Sequence, residues 1–570
     1  MEPTGAQNKT FEPLKGTIAP ETSSNNGETP SDTVEKTGNE PRYITGLNLI
    51  ATLGCLTLVV YLMLLDTSIV STAIPRITTT FHSLNDVGWY GTAYLVANCG
   101  VQPLSGKMYT YFNSKWTFIG FFTIFELGSA ICGAAQSSNM LIVGRAIAGM
   151  GSSGLMNGAF TILNACVPPA RRDALTGVLM GLSQLGLLSG PLIGGALTQH
   201  ASWRWCFYIN LPCAALIYPS LVLVPIPEGR TTSQKSQSLR NPLAHLDIPG
   251  FTLFAGSVIM LLFALNWGGT SYSWNSSVII GLLVGSGAAF IVFVAWEYRV
   301  GEEAMIPLSL VRRQIIWASC VNYTFLFGSM MCATYYLPIY FQAVRGASPT
   351  MSGVDLLPTI VPTMIFAATC GALVTKIGYY LPFAVASGLV VTTGSALLTT
   401  LTPYTATRNW IGFQIISGIG RGMGVQMPLL AVQTFTSRSQ HSIATGLVVL
   451  SQNLGGAIFL AICQVVFSSG LSTELAKYAP GIDAKVLEAA GASALRDVVG
   501  DDGNVLESVL RAYNGAIVKV LYVATAAAGA AAVSAGGMGW VSVKSDKKDD
   551  KGEDGGEAER VGEDGGGNGI

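Results

Sequence analysis

Fourteen apolar stretches, each long enough to cross a bilayer, dominate this chain. A helix needs about 20 apolar residues to span the hydrocarbon core. Such stretches fall at roughly 47–71, 87–106, 117–136, 140–163, 174–197, 205–226, 248–268, 277–298, 315–341, 352–375, 381–401, 410–433, 442–468 and 515–540. A spanning segment must satisfy its own backbone hydrogen bonds, so the expected fold class is all-α integral membrane with 14 transmembrane helices. Composition agrees, because only 11% of the 570 residues are charged, against about 25% in a soluble globular domain. The formal net charge is −1, so no nucleic-acid partner is expected.

An even number of spans puts both termini on one side. With the N-terminus in the cytosol, the short inner loops hold Lys107, Lys115, Arg171, Arg172, Arg230, Lys235, Arg240, Arg299, Arg312, Arg313, Lys376 and Arg438. The short outer connections then hold only Arg76, Arg204, Arg345 and Arg408. Basic residues favour the cytoplasmic side, so both termini are expected there. The "NSS" sequon at Asn275 then falls in an outer loop, where N-glycosylation is chemically available. Residues 1–44 and 544–570 are polar and read as disordered cytosolic tails, and no cleavable signal peptide is expected. Within a long outer loop, 469–513, "AKVLEAAGASALRDVVG" suits a short amphipathic helix on the membrane surface. A solvated cap without a transport role is the other reading.

Two internal matches share nearly one offset. "TGVLMGLSQLG" (Thr176–Gly186) is similar to "TGLVVLSQNLGG" (Thr445–Gly456), and "GKMYTYFNSK" (Gly106–Lys115) to "GALVTKIGYY" (Gly371–Tyr380), at 269 and 265 residues. Each offset covers eight spans. That divides the chain into an N-terminal six-helix half (45–226), a cytosolic loop (227–247), two inserted helices (248–298) and a C-terminal six-helix half (299–543). Repeated halves that hold substrate between them near the midplane are a transporter architecture.

The stretch "GLSQLGLLSGPLIGGAL" (Gly181–Leu197) puts Gly186, Gly190 and Gly194 on one helix face. Small residues at that spacing let a neighbouring backbone approach closely. Pro191 removes the hydrogen bond to the Leu187 carbonyl and can bend the helix. Such a face suits a helix that rocks against a partner, and equally a static seam. Three charges lie inside spans: Asp66, Glu126 and Arg145. An ionised side chain at the bilayer centre costs about 2.5–3.5 kcal/mol on insertion scales, so each should face a cavity or a partner. Glu126 is the first candidate for a proton site on physical grounds, and a neutral glutamic acid bonded to a neighbouring helix is its plain alternative. Asp66 could instead cap its own helix, and Arg145 could clamp helix-end carbonyls. Arg421, in "GIGRGMGVQ", is a candidate cavity residue and not the repeat equivalent of Arg145.

The chain resembles the major facilitator superfamily, and within it the fourteen-span drug:proton antiporters of fungi. The motifs that carry the resemblance are "LDTSIVSTAIPRI", "GKMYTYFNSKW", "GRAIAGMGSSG", "GLLSGPLIGG", "WRWCFYINLP" and "YYLPIYFQAVRGASPTMSGVDLLP", in the family's order between about Tyr43 and Trp540. The resemblance implies the major facilitator fold. It assigns Asp66 and Arg145 to transport and proton coupling, and Gly186, Gly190, Pro191, Gly194 and Gly195 to the antiporter motif. It also makes Gly106, Lys107, Thr110 and Lys115 the cytoplasmic gate loop. That loop departs from the pattern, because Thr110 replaces the usual aspartate and Asn113 a later glycine. "WRWCFYINLP" opens the sixth span, with Trp203 and Trp205 placed as an interfacial aromatic belt.

The expected activity is proton-coupled efflux of small, largely apolar organic compounds — drugs, toxins or secondary metabolites — by alternating access. Uptake or vacuolar transport of a charged solute, such as a basic amino acid or an iron chelate, is the alternative, and a non-transporting receptor a remote one. The expected partners are a small-molecule substrate, protons and the lipid bilayer, for a monomer in the plasma or the vacuolar membrane. No enzyme activity, metal or cofactor is expected. The ten cysteines lie in or beside apolar runs without a CxxC pair, the four histidines lack metal-ligand spacing, and no GxxxxGK[ST] loop is present.

Overall fold

The computed structural model describes residues 44–83, 86–226, 247–269, 271–301, 304–306, 308–436, 441–480 and 503–543. The expected tails, nearly all of loop 227–247 and the amphipathic stretch at 484–500 lie outside the described residues. Among those described, helices account for the fold and no strand forms.

The N-terminal half holds α1 (Gly46–Phe81), α2 (Val87–Tyr111), α3 (Ser114–Ala134), α4 (Ser138–Cys166), α5 (Pro169–His200), α6 (Trp205–Tyr208) and α7 (Asn210–Leu223). The inserted pair is α8 (Ile248–Trp267) and α9 (Ser277–Val300). After the short α10 (Leu308–Val311), the second half holds α11 (Gln314–Ile339), α12 (Pro349–Asp355), α13 (Leu357–Ile377), α14 (Leu381–Leu398), α15 (Thr407–Gly424), α16 (Met427–Phe435), α17 (His441–Tyr478) and α18 (Gly503–Ala535). Among the described residues, 11 helical stretches are long and apolar enough to cross a membrane. The other three long helices, α2, α4 and α5, occupy the remaining expected spans and pack inside the same bundle.

Local sequence explains the breaks. Pro212, Pro358 and Pro428 cannot donate to the carbonyls of Tyr208, Val354 and Gly424, and spans 6, 10 and 12 each divide one turn before the proline. Helix α1 runs ten residues past the expected end at 71. In its polar extension Thr79 and Thr80 satisfy their hydroxyls on the carbonyls of Pro75 and Arg76, each at 2.8 Å. Asn113, Ser137, Ser276 and Ser348 cap the starts of α3, α4, α9 and α12. After Pro338, α11 widens into a single π-turn, Tyr340–Val344.

Close glycine contacts recur at the offset between the two internal matches. A methyl group at Gly149 (α4) would lie 2.1 Å from the Tyr94 carbonyl of α2, and one at Gly151 2.2 Å from the Phe125 nitrogen of α3. At the 269-residue offset, Gly418 of α15 meets the Thr359 carbonyl of α13 at 2.3 Å, and Gly420 meets the Val391 nitrogen of α14 at 2.6 Å. Gly186 of α5 meets the Tyr61 carbonyl of α1 at 2.2 Å, and Gly455 of α17 meets the Thr324 carbonyl of α11 at 2.4 Å. Only glycine permits backbones this close, so both halves rest on the same contacts.

The halves meet along two seams, α2 on α17 and α5 on α12, which the eight-span offset interchanges. The end of the bundle where α1 leads into α2 is called the upper end here. There Pro349 and Thr350 sit on Gly195, the Thr350 nitrogen donates to Gln199 Oε1 at 3.3 Å, and Gln342 donates to the Thr72 carbonyl at 3.1 Å. Towards the lower end α5 and α13 barely touch. The inserted pair packs on itself and leans on α2 and α17.

Candidate functional site

The buried charges of the N-terminal half converge on the same place. Asp66 and Arg145 are each 1% exposed, and Arg145 Nη1 donates to Asp66 Oδ2 at 2.5 Å. Arg145 Nε donates to the Tyr90 carbonyl at 2.9 Å, and its guanidinium lies over the Tyr94 ring, 4.4 Å from the centroid. The pair thus joins α1 to α4, with α2 as the floor. Glu126 of α3 lies within electrostatic reach of Asp66. It is 5% exposed, and neither of its carboxyl oxygens has a hydrogen-bond partner. A buried, unpartnered carboxyl inside a membrane span is a group whose charge is costly to keep.

Two further residues complete the site, and neither was singled out from the sequence. Asn210 donates to Ser129 Oγ at 3.1 Å and stands beside the Asp66 carboxylate, bringing α7 and α3 against α1. It stands at the break between α6 and α7, inside "WRWCFYINLP". Tyr335 of α11 reaches the site from the other half. Its hydroxyl lies 2.6 Å from where a methyl at Gly91 would stand, and it interacts electrostatically with Arg145 and Asp66. The motif "YYLPIYF" holds the signal for Tyr335, but no local pattern says which tyrosine faces inward.

The repeat equivalents of these charges are neutral. Arg145 corresponds to Gln414, which accepts from Thr359 Oγ1 at 2.8 Å and donates to the Asp355 carbonyl at 2.9 Å. By the contacts that pair Tyr61 with Thr324, Asp66 corresponds to Ser329, and by those that pair Phe125 with Val391, Glu126 corresponds to Thr392. Arg421 corresponds to Ser152, not to Arg145. It is 5% exposed, halfway along the Thr407–Phe435 stretch.

The glycine motif divides its work. Gly186, Gly190 and Gly194 all face α1: methyls there would lie 2.2 Å from the Tyr61 carbonyl, 1.9 Å from Ser68 Oγ and 2.4 Å from the Ile69 carbonyl. That face is a seam within one half. Gly195 and the Pro191 carbonyl instead face Pro349 and Gly353 of α12, across the boundary between halves.

The expected gate loop lies apart from the charges, at the lower end. Lys115 Nζ donates to the carbonyls of Val222 and Val224 at 2.7 and 2.8 Å, and so caps the end of α7. Lys107 lies within electrostatic reach of Glu297 on α9. Glu297 is 2% exposed and accepts from the Ile306 nitrogen at 2.7 Å, a buried acid that the sequence reading passed over. Gly106 is exposed, and the Thr110 side chain lies outside the described residues. Asn275 is exposed in the α8–α9 link at the upper end. Trp205 is 48% exposed, as a belt residue should be. Trp203 is not, being 5% exposed against Phe81 and under the Arg204 guanidinium. A groove of about 540 Å³ between α2, α3 and α4 is lined by exposed apolar side chains such as Trp116 and Ile124 and lies away from the charges. It suits acyl chains.

The family model described as Major Facilitator Superfamily matches residues 56–460. The chain belongs to that superfamily. It is therefore a multi-pass membrane transporter and not an enzyme. Among curated relatives, the chain is 48% identical to "MFS-type transporter pigP" of Monascus ruber, over 94% of this chain and 93% of that one. It is 49% identical to "Efflux pump mlcE" of Penicillium citrinum, over 91% and 95%. It is 39% identical to "Aspyridones efflux protein" of Neocamarosporium betae, over 88% and 89%. Among solved structures, a bacterial homolog of the human lysosomal transporter Spinster, inward-facing and unoccupied, aligns with a TM-score of 0.57 at 15% identity, over 87% of this chain and 98% of that one. A D-xylose-proton symporter aligns at 0.52 and 16% identity, over 78% and 96%. These neighbours share the major facilitator fold with it.

Proposed function

We propose that this chain exports small, largely apolar organic compounds in exchange for protons, by alternating access between its two halves. The observation that carries the reading is the placement of Tyr335. A residue of the second half closes over the only buried carboxylate–guanidinium pair among the described residues, which lies wholly in the first half. Parting the halves at the upper end would withdraw Tyr335 and change the solvation of Asp66, Arg145 and Glu126 together. Protonation and opening would thereby be linked. The names of the relatives, efflux pumps among them, support export as the direction.

The upper end then faces outward and both termini lie in the cytosol, in the plasma membrane, with the chain acting as a monomer. The division into 45–226, 248–298 and 299–543 supplies the moving bodies. Gly195 and Pro191 form the outer contact that opens and closes, and Gly186, Gly190 and Gly194 keep α1 and α5 moving as one. Glu126 is the proton-carrying group, and the Asp66–Arg145 pair senses its state. With the upper end sealed, substrate enters from below. A proton arriving from outside resets the carrier, and each charge moved inward through the full potential supplies about 2.3 kcal/mol per 100 mV. Lys107 and Lys115 hold the cytoplasmic end, and Asn275 is the glycosylation acceptor.

The test is efflux of candidate compounds from cells or vesicles, with and without a proton uncoupler. Glu126→Gln, expressed at the normal level, is expected to lose the uncoupler-sensitive part. Undiminished uncoupler-sensitive efflux from that variant would remove Glu126 from the proton path.

A further inference from the structure

Arg421 is a second buried cation, in the opposite half from the first, without a counter-ion among the described residues. Arg145 uses Nε and Nη1 on a carbonyl and a carboxylate. Arg421 leaves Nε and Nη2 without any hydrogen-bond partner, and among the described residues no carboxylate pairs with it. These two nitrogens present their hydrogens along the same edge of the planar guanidinium, the edge that receives both oxygens of an acid group side by side. An unpaired charge buried in a membrane protein is too costly to keep without a use.

The surroundings say what the partner is. Arg421 borders a gap of about 10 Å³ lined by Tyr323, Leu326, Phe327, Met330 and Val425. In this state the gap has room for about one water-sized group, so an acid head reaches the guanidinium only as the boundary between the halves opens. The lining is apolar, so the body attached to that head is apolar as well. Phe327 also stands beside Gly456, whose other neighbour is Leu95 of the first half, so the gap adjoins the boundary between halves. At the symmetric position Ser152 accepts from Asn98, which accepts in turn from Asn453 across that boundary. Position 421 therefore addresses the space where substrate must pass, at mid-depth of its span.

We infer that Arg421 anchors the anionic head of an amphipathic organic acid, so that the exported compounds are apolar bodies bearing one carboxylate, enolate or similar oxyanion. This rests on the exporter reading above and narrows its substrate class. The head docks on Nε and Nη2, and the body lies along α11 between the halves.

The test uses the full chain in nanodiscs and three fluorescent probes with one dansyl-alkyl body: a sulfonate, its neutral methyl ester and a trimethylammonium. Wild type is expected to bind the sulfonate tightest and the cation weakest. Arg421→Met should weaken sulfonate binding about 10- to 100-fold, the range for losing a charged hydrogen-bond partner. Ester binding should change little, and Arg421→Lys should recover part of the sulfonate affinity through charge alone. Sulfonate bound no tighter than ester by wild type overturns the anchor, whether or not the variants fold. Equal weakening of both probes in Arg421→Met overturns it too. Proton-gradient-driven transport of the sulfonate in proteoliposomes reports separately on the exporter reading: its absence beside intact sulfonate preference in binding would sink that reading and leave the anchor standing.

Discussion

Replacing Gly195 by alanine should impair transport while sparing the fold, and replacing Gly186 should do the reverse. A methyl at Gly195 would lie 2.4 Å from the Pro349 carbonyl oxygen and 2.9 Å from Thr350 Cα. Both are backbone atoms of α12, and the first is about 1 Å short of ordinary van der Waals contact. The clash exists only while the upper ends of the halves are closed. Overpacking of this kind costs about 1–3 kcal/mol. Because the halves can part, that cost falls on the closed state and shifts the equilibrium about 5- to 150-fold towards the open one. Gly186→Ala meets the Tyr61 carbonyl at 2.2 Å within one half, where no domain movement relieves it. The same 1–3 kcal/mol then appears as lost stability. Gly181→Ala is the control, since a methyl there meets nothing within 4 Å. Thermal unfolding in nanodiscs, uncoupler-sensitive efflux, and amide hydrogen exchange over Pro349–Asp355 separate the cases. Gly195→Ala should keep its melting temperature, lose efflux and speed exchange in α12, whereas Gly186→Ala should melt lower. If Gly195→Ala melts as low as Gly186→Ala, or exports normally with unchanged exchange, the division between an inner seam and a moving contact is wrong.

Asp66→Asn strands the Arg145 charge and should cost about 3–5 kcal/mol in unfolding measurements. Asp66→Asn combined with Arg145→Gln, neutral like Ser329 and Gln414, should recover most of that stability without recovering proton-driven efflux. A single variant as stable as the double one would refute the ion-pair reading. At the upper end, Asp86 accepts from Ser138 Oγ, and burial pushes its carboxyl above the usual 3.8, partly opposed by that hydroxyl. An acid whose pKa is raised on folding keeps its proton longer in the folded protein. Stability is therefore undiminished below the unfolded value and is lost as pH rises through the folded one. Wild type should lose melting temperature relative to Asp86→Asn as pH rises above the ordinary aspartate value of about 4. Parallel melting curves would refute the assignment.

Much of this arrangement was legible in the sequence because it depends on spacing along one helix. Apolar run lengths place the spans, and glycines four apart in α5 announce a close approach. What spacing cannot give is the identity of the surface approached. Gly194 and Gly195 are neighbours, yet one faces α1 and the other α12, because adjacent helical positions point about 100° apart. Asn210 and Tyr335 escaped notice for the same reason, since their partners lie 81 residues or more away in sequence. Trp203 carries the residue type of an interfacial belt, but the turn before α6 rolls it inward onto Phe81. Lys115 looks like an anchoring charge until α7 ends beside it with two free carbonyls.

The asymmetry between the halves bears most directly on mechanism. Both were built on one plan, as Gly149 and Gly151 against Gly418 and Gly420 make plain. On that shared frame the first half keeps Asp66, Glu126 and Arg145 where the second has Ser329, Thr392 and Gln414. The second half keeps Arg421 where the first has Ser152. A carrier whose halves each held both a proton site and a substrate site could run either ion or cargo alone. On the function and anchor proposed above, the two roles sit on opposite bodies and meet at the boundary, where Tyr335 covers the acid cluster and Phe327 borders the Arg421 guanidinium. Both residues belong to α11. On this reading a swing of the second half against the first uncovers the acid cluster and changes access to the guanidinium in one movement, which is the physical requirement for exchanging one species for the other.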